Sequence, residues 1–232
     1  MASIKGWNKT SLVDYPPNIV SVVFLKGCNF RCGYCHNPDI VLNYESLNDI
    51  DEKEIISYLT EQKKWIDGVC ITGGEPCLHK DLVKFVFDIK KTGMLVKIDT
   101  NGSNPSMIKE LLGKKLVDMI AMDIKAPLKK YELVASAKID KKSILESIDL
   151  IRNSGIDYEF RTTVVPGLVD ANDIAEIGKW LKGSKRFAIQ NFRGKVNLID
   201  NELKNMKGYS KKELEEMKES VADCFEKVEV RD

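Results

Sequence analysis

Ile19-Val20-Ser21-Val22-Val23-Phe24-Leu25 runs directly into Lys26-Gly27-Cys28-Asn29-Phe30-Arg31-Cys32-Gly33-Tyr34-Cys35-His36-Asn37-Pro38. The first seven residues read as a buried strand, because a short apolar run bounded by polar and glycine residues fits a core strand. The loop after it carries three cysteines in the spacing C-x3-C-x2-C. Three thiolates on one short loop reach three corners of an iron–sulfur cube. Ordinary cube ligation uses four cysteines, and structural zinc sites also close with four ligands. The missing fourth cysteine leaves one metal corner for a ligand other than protein. A zinc knot of Cys28, Cys32 and Cys35 completed by His36 is the competing reading, and a disulfide between two of the cysteines is a third.

Working outward, the same strand-then-loop unit recurs. Residues 4–18 form an opening segment, read as a short hairpin. After the cysteine loop a helix starts at Asp51, with Glu54 three residues on and Ile50 placed to staple against Ile55. It runs to about Lys64, with Ile55, Ile56 and Leu59 inward. Gly68–Thr72 is the next strand and ends in Gly73-Gly74-Glu75-Pro76. A helix over 79–91 presents Leu82, Val83, Val86, Phe87 and Ile89. Leu95–Asp99 is a strand followed by Thr100-Asn101-Gly102. Asn104 caps a helix with Pro105 at its first position, and Gly113 ends it. Val117–Ile124 is the fourth strand, with Lys125 at its end. Helical spacing returns over 141–153, with Ile144, Leu145, Ile148 and Ile151 inward. A strand over 157–165, a helix over 171–182 and a strand over 186–192 follow. Residues 194–209 show no firm period. A last helix opens on Ser210 and Glu213, with Leu214, Met217, Val221 and Phe225 as its apolar face and Cys224 in the core.

Strand and helix alternate six times. Such alternation calls for right-handed crossovers and a parallel sheet, while six units are too few for an eight-fold barrel. No G-x-G-x-x-G follows the first strand, so a dinucleotide site is disfavoured. In α/β barrels the loops after the carboxyl ends of the strands build the site. The polar residues fall there repeatedly: the cysteines, then Gly73-Gly74-Glu75, then Asp99 and Asn101, then Asp123 and Lys125, with Arg161 on the fifth strand.

The cysteine spacing with Tyr34 just before the last cysteine resembles the radical S-adenosylmethionine (SAM) superfamily. Together with Gly73-Gly74-Glu75-Pro76, Asp99-Thr100-Asn101-Gly102, Met122-Asp123-Ile124-Lys125 and Val164-Val165-Pro166-Gly167, it is similar to the glycyl-radical-enzyme activases within that superfamily. Trp7 to Pro16 and Gln190-Asn191-Phe192-Arg193 look more like the activators of anaerobic ribonucleotide reductase than those of pyruvate formate-lyase. The resemblance implies an α/β fold, an open partial (β/α)6 barrel with parallel strands. It also implies a single radical SAM domain over 1–232, with the partial barrel at 19–192 and a C-terminal segment at 193–232. It implies one [4Fe-4S] cluster held by Cys28, Cys32 and Cys35, reductive cleavage of SAM on the unique iron, and removal of a hydrogen atom from a glycine of a partner glycyl radical enzyme. A reduced flavodoxin or ferredoxin would donate the electron. By the same resemblance Asp99 and Asp123 form a monovalent cation site, and Lys125 and Arg161 contact SAM. No counterpart of the family's later ribose-contacting histidine is found, and no ferredoxin-like insert provides a second cluster.

Each residue has a task toward a zwitterionic sulfonium. Gly73 and Gly74 let backbone approach closely. Glu75 holds its turn or accepts from the ammonium. Asp99 and Asp123 balance positive charge; Lys125 and Arg161 pair with the methionyl carboxylate, Arg161 bidentately. Tyr34 offers its ring to adenine, and Asn101 doubles as a plain turn residue. Asp123 with Lys125 is alternatively an ordinary ion pair. Among 232 residues, 36 Lys and Arg balance 35 Asp and Glu, a formal net charge of +1, which points to neither nucleic acid nor an anionic membrane. No stretch approaches the roughly 18 apolar residues of a membrane span. The opening residues Met1 to Trp7 lack the apolar run of a signal peptide, so a cytoplasmic protein with reduced thiols is expected. Two other readings keep their place: a SAM enzyme acting on a small molecule, as in the deazapurine-forming branch, and a non-catalytic metal-binding or electron-transfer module.

Overall fold

The structure is a computed structural model that describes residues 3–232; Met1 and Ala2, the first residues of the opening segment, lie outside the described residues. In chain order the elements are β1 (Ile4–Ser11), β2 (Val20–Leu25), α1 (Pro38–Leu42), α2 (Glu52–Glu61), β3 (Gly68–Gly73), α3 (Leu82–Lys91), β4 (Leu95–Thr100) and α4 (Pro105–Gly113). They continue with β5 (Met119–Asp123), α5 (Tyr131–Ala135), α6 (Lys141–Arg152), β6 (Asp157–Val164), α7 (Ala171–Trp180), β7 (Ser184–Asn191), α8 (Lys211–Glu219) and β8 (Phe225–Arg231).

The chain divides into two compact units. The first holds the described residues up to Cys28, then Asp39–Ala121 and Lys142–Asp157; the second holds Asn29–Pro38, Met122–Lys141 and Tyr158–Asp232. In the first, β1 pairs antiparallel with β2, while β2, β3 and β4 pair in parallel. Val22, Cys70 and Lys97 stand level across β2, β3 and β4. Tyr15 packs with Val20, Val22, Cys70 and Met119, and Phe24 and Leu95 lie against that cluster. In the second unit β6, β7 and β8 pair in parallel, with Arg161, Ala188 and Glu229 level. β5 is divided between the units. Just before it, the Asp118 N–H donates to Val96 O at 2.9 Å in the first; just beyond it, the Ile124 N–H donates to Arg161 O at 2.7 Å in the second. Within each unit the strands pair in chain order. The fold is α/β with a parallel-strand sheet.

The near-continuous apolar runs explain the central strands: β2 and β3 are buried on both faces, as parallel strands are. The helices form where caps start them. Asp51 accepts from the Lys53 N–H, Asn104 from the Met107 N–H, and both Asp170 and Ser210 build reciprocal capping boxes.

Four expectations are corrected. Phe225 does not extend the last helix; α8 stops at Glu219, Cys224 lies in a short 3₁₀ turn, and β8 adds a parallel strand beyond the six expected. α5 is a five-residue helix inside what read as loop. Phe87 is 48% exposed, with Phe85 taking the inward place; the Lys91 ammonium lies 4.3 Å from the Phe87 ring centroid and shields it. Leu145 is likewise exposed, and Ser147 takes the buried place on α6.

Candidate active site

In the first unit the cysteine loop is rooted in a backbone clamp. β3 ends at Gly73, whose φ of +111° is closed to residues with a side chain. The Gly74 N–H donates to Leu25 O and the Glu75 N–H to Gly27 O, each at 2.8 Å. A Cβ on Gly74 would lie 1.8 Å from Gly27 O, and one on Gly73 would lie 2.5 Å from the Leu25 nitrogen. The two glycines thus admit the chain's own backbone: they let the β3 turn close onto the residues that lead into Cys28. His79 donates from Nε2 to Lys26 O at 2.8 Å and fixes the same root.

Glu75 is 1% exposed, and its carboxylate accepts from the Cys77 N–H at 2.9 Å, the Thr100 hydroxyl at 2.7 Å and the Asn101 N–H at 2.6 Å. Burial pushes this carboxyl above its ordinary range, against the pull of those donors. Its oxygens are therefore engaged in joining the ends of β3 and β4, and the alternative of accepting from a ligand ammonium is set aside. Asn101 then faces the cysteine loop: its side-chain amide donates to Cys28 Sγ at 3.7 Å, while its Oδ1 accepts from the Ser103 N–H at 2.9 Å. Cys77, scattered in the sequence, is fully buried beside Glu75, and burial holds its thiol well above the usual range, so it is an inert core group. Asp99 forms an ion pair with Lys97 at 3.0 Å.

In the second unit Cys32 is buried, with Sγ 3.9 Å from Ala135 O, and Ala135 O also accepts from the Arg31 N–H at 2.9 Å. α5 therefore braces the cysteine loop. Cys35 Sγ accepts from the Asn37 N–H at 3.4 Å. Burial raises the Cys32 thiol, and the Lys125 charge partly offsets this. Asp123 receives the Arg161 Nε–H at Oδ1, 2.8 Å, and the Lys125 ammonium at Oδ2, 3.1 Å. Burial alone would raise the Asp123 carboxyl, but the charges of Arg161 and Lys125 outweigh it and hold the group below the usual carboxylate range. Burial works against the Lys125 charge, yet Asp123 keeps the ammonium's pKa well above its ordinary value. The Tyr34 ring is buried, and its hydroxyl has no hydrogen-bond partner. Tyr131, missed in the sequence, donates from its hydroxyl to Asp123 O at 3.3 Å.

The sequence-derived residues thus fall into two groups. The first unit assembles Cys28, Gly73, Gly74, Glu75, Asp99 and Asn101; the second assembles Cys32, Tyr34, Cys35, Asp123, Lys125 and Arg161. Asp99 and Asp123 each already face a cation of the chain itself, so a monovalent ion beside them meets carboxylates that are paired. Among the described residues no three His, Cys, Asp or Glu side chains are gathered as ligands of a single metal ion, and no helix is long and apolar enough to cross a membrane. Lys97 was also missed; the signal was a charge inside the apolar run Leu95-Val96-Lys97-Ile98.

The radical SAM superfamily profile matches residues 22–181. A protein of Methanocaldococcus jannaschii assigned as a glycyl-radical enzyme activating enzyme is 36% identical, over 99% of this chain and 96% of its own length. The pyruvate formate-lyase-activating enzyme of Clostridium pasteurianum is 31% identical over 75% of this chain and 73% of its own. Among solved structures, Streptococcus suis SuiB bound to its precursor peptide SuiA superposes with a TM-score of 0.70 at 17% identity; 92% of this chain matches 48% of SuiB, about half its length. A domain of the pyruvate formate-lyase-activating enzyme of Bacteroides vulgatus superposes with a TM-score of 0.57 at 16% identity, over 71% of this chain and 99% of that one. At such identities the structures speak for the fold alone; the sequence matches speak for the family. The chain is an enzyme of the radical SAM superfamily and belongs to its glycyl-radical-enzyme activating branch.

Proposed function

We propose that this enzyme generates a glycyl radical on a partner protein, with Cys28, Cys32 and Cys35 holding one [4Fe-4S] cluster and the strand-end residues holding SAM. The observation that carries this reading is the C-x3-C-x2-C loop at the carboxyl end of β2, its root locked by the Gly73-Gly74-Glu75 turn, in a chain that matches an activating enzyme along nearly its whole length. The residues fit the group. Three thiols and no fourth lie on the loop, and N–H donors face two of the sulfurs, from Asn101 to Cys28 and from Asn37 to Cys35; such bonds tune cluster potentials. When bound, the reduced cluster supplies the electron for cleaving SAM.

The chain's own residues do the rest. Lys125 and Arg161 bring two positive charges to Asp123 and are matched to a methionyl carboxylate, Arg161 with a planar fork. Tyr34 offers a buried ring and an unsatisfied hydroxyl. Burial around Cys32 keeps water from the sulfur. The partner class we assign is anaerobic ribonucleotide reductase, on the resemblance of Trp7 to Pro16 and Gln190 to Arg193. A reduced flavodoxin or ferredoxin serves as donor, in the cytoplasm, without nucleic acid or membrane.

Anaerobic reconstitution with iron and sulfide, followed by dithionite and SAM, tests this. We expect 5′-deoxyadenosine and methionine, and a glycyl radical in the paramagnetic resonance spectrum of a co-expressed partner. 5′-Deoxyadenosine without that radical would return the small-molecule reading; no 5′-deoxyadenosine at all would overturn the proposal.

A further inference from the structure

Side chains of a strand alternate between its two faces, so Lys97 shares a face of β4 with Leu95 and Asp99. Across the sheet it stands level with Cys70 and Val22. Val22 and Cys70 belong to the apolar cluster around Tyr15, and Leu95 packs against it. A lysine therefore occupies an apolar layer, at 3% exposure. An ammonium removed from water is strongly unfavourable unless it is paired, and an apolar side chain of like volume generally stabilises such a place as well or better. Packing alone thus calls for a residue like Leu95, and the fold does not account for the charge.

The ion's two ends do. The Lys97 ammonium donates to Asp14 O at 2.6 Å and pairs with Asp99 Oδ1 at 3.0 Å. Asp14 is itself fixed: Ser11 Oγ donates to Asp14 Oδ2 at 2.5 Å, the Val13 N–H donates to Ser11 Oγ at 3.2 Å, and Tyr15 beside it is buried in the core. One end of the lysine is anchored on a rigid turn, and the other reaches the carboxylate that stands next to Thr100 and Asn101.

We propose that Lys97 is a positioning residue for Asp99. Its buried ammonium, anchored on the Asp14 carbonyl, holds the Asp99 carboxylate in place at the carboxyl end of β4. This deepens the reading above, because it takes that strand end to be part of the SAM site. Removing the ammonium takes from Asp99 the charge that Lys97 supplies and leaves a space one ammonium wide. A small cation can occupy that space and a bulky one cannot.

The test uses Lys97→Met, Asp99→Asn and the double variant, each in ammonium, potassium and tetramethylammonium chloride. Two quantities are read: the melting temperature of the cluster-free protein and the SAM affinity of the reconstituted enzyme. Wild type melts at the same temperature in all three salts. Lys97→Met melts lower in tetramethylammonium and recovers in ammonium or potassium. Its SAM affinity follows, weaker by about tenfold in the bulky salt, the scale of one charge-assisted bond, and regained in ammonium. The double variant ignores the salt and is more stable than Asp99→Asn, because no uncompensated ion remains. If Lys97→Met does not fold, the double variant decides: the pairing predicts that it folds. Melting and affinity of Lys97→Met that are the same in every salt, or an Asp99→Asn protein as stable as the double variant, would overturn the inference. A reconstituted protein that does not bind SAM at all sinks the proposed function instead, while the salt dependence of cluster-free melting still decides Lys97.

Discussion

Two carboxylates stand at the carboxyl ends of strands, one in each unit, and they do different things. Glu75, after β3, is enclosed and accepts from backbone N–H groups and a hydroxyl of its own unit. Asp123, at the end of β5, keeps part of its surface open, and its partners are two cations, Lys125 and Arg161. Neutral backbone donors cannot leave, so a carboxylate bonded to them is a strut. Cations on flexible stems can share their charge with an incoming carboxylate, so a carboxylate bonded to them is a holder of ligand-binding groups. The kind of partner, more than the acid itself, separates framework from chemistry.

The largest effect belongs to the cysteines Cys28, Cys32 and Cys35. Cys28→Ala, Cys32→Ala and Cys35→Ala should each abolish most of the cluster content, whereas Cys224→Ala leaves it unchanged. Iron and sulfide analysis of the four reconstituted proteins checks this. A variant of any of the three that retained a full cluster would overturn the assignment of its thiol as a ligand.

Next in size is the strut. Glu75→Gln replaces one acceptor oxygen by an NH₂ that faces either the Asn101 N–H or the Cys77 N–H and Thr100 hydroxyl, leaving a buried donor unsatisfied, which costs about 1–3 kcal/mol. The melting temperature should fall. Cluster content and SAM affinity of the protein that remains folded should stay at wild-type level. A loss of SAM affinity without a loss of stability would move Glu75 among the ligand-binding groups.

Asp123→Asn should reach the ligand as well. SAM affinity falls by about tenfold, since Lys125 and Arg161 lose the charge that orients them, and the melting temperature at neutral pH falls with it, because the variant already lacks the contribution that wild type loses only in acid. The acid limb sharpens the contrast. The folded state holds the Asp123 carboxyl below its ordinary value, so its contribution is complete above the unfolded carboxylate value of about 3.9 and is lost as pH falls through the folded one. Wild type should therefore lose stability below about pH 4 more steeply than Asp123→Asn. Acid titration of the two proteins followed by circular dichroism measures the difference.

Much of this frame was legible because apolar runs bounded by glycine and proline are distinctive: Val20–Leu25, Gly68–Gly73 and Leu95–Thr100 are strands at the places where their patterns lie. β8 was not, since Glu226, Lys227 and Glu229 interrupt its apolar residues as befits a strand that pairs on one side only with β7. α5 is too short for a period to show. At the site, position at strand ends could be read; partnership could not. Arg161 lies 38 residues from Asp123, and nothing local says that they meet. Glu75 looked like a ligand because two of its donors, the Cys77 and Asn101 N–H groups, are backbone and invisible in residue types. Lys97 left a trace, a charge within an apolar run, that pattern counting treats as noise.

The smallest effect belongs to Tyr34. Its hydroxyl is buried without a hydrogen-bond partner, an arrangement that costs about 1–3 kcal/mol relative to a satisfied group. Burial raises its pKa well above that of an ordinary tyrosine, so the group stays neutral and can only donate or accept a bond. Tyr34→Phe removes the unsatisfied oxygen and keeps the ring. The ligand-free protein should then melt at the wild-type temperature or slightly above it. If the hydroxyl finds its partner only on a bound ligand, SAM affinity should fall by about three- to tenfold, the worth of one neutral hydrogen bond. Should Tyr34→Phe be more stable and bind SAM as tightly as wild type, the hydroxyl is a defect of the loop, and only the ring belongs with Asp123, Lys125 and Arg161. Tyr34→Leu separates the two contributions: the part of the affinity lost beyond that of Tyr34→Phe is what the aromatic face supplies.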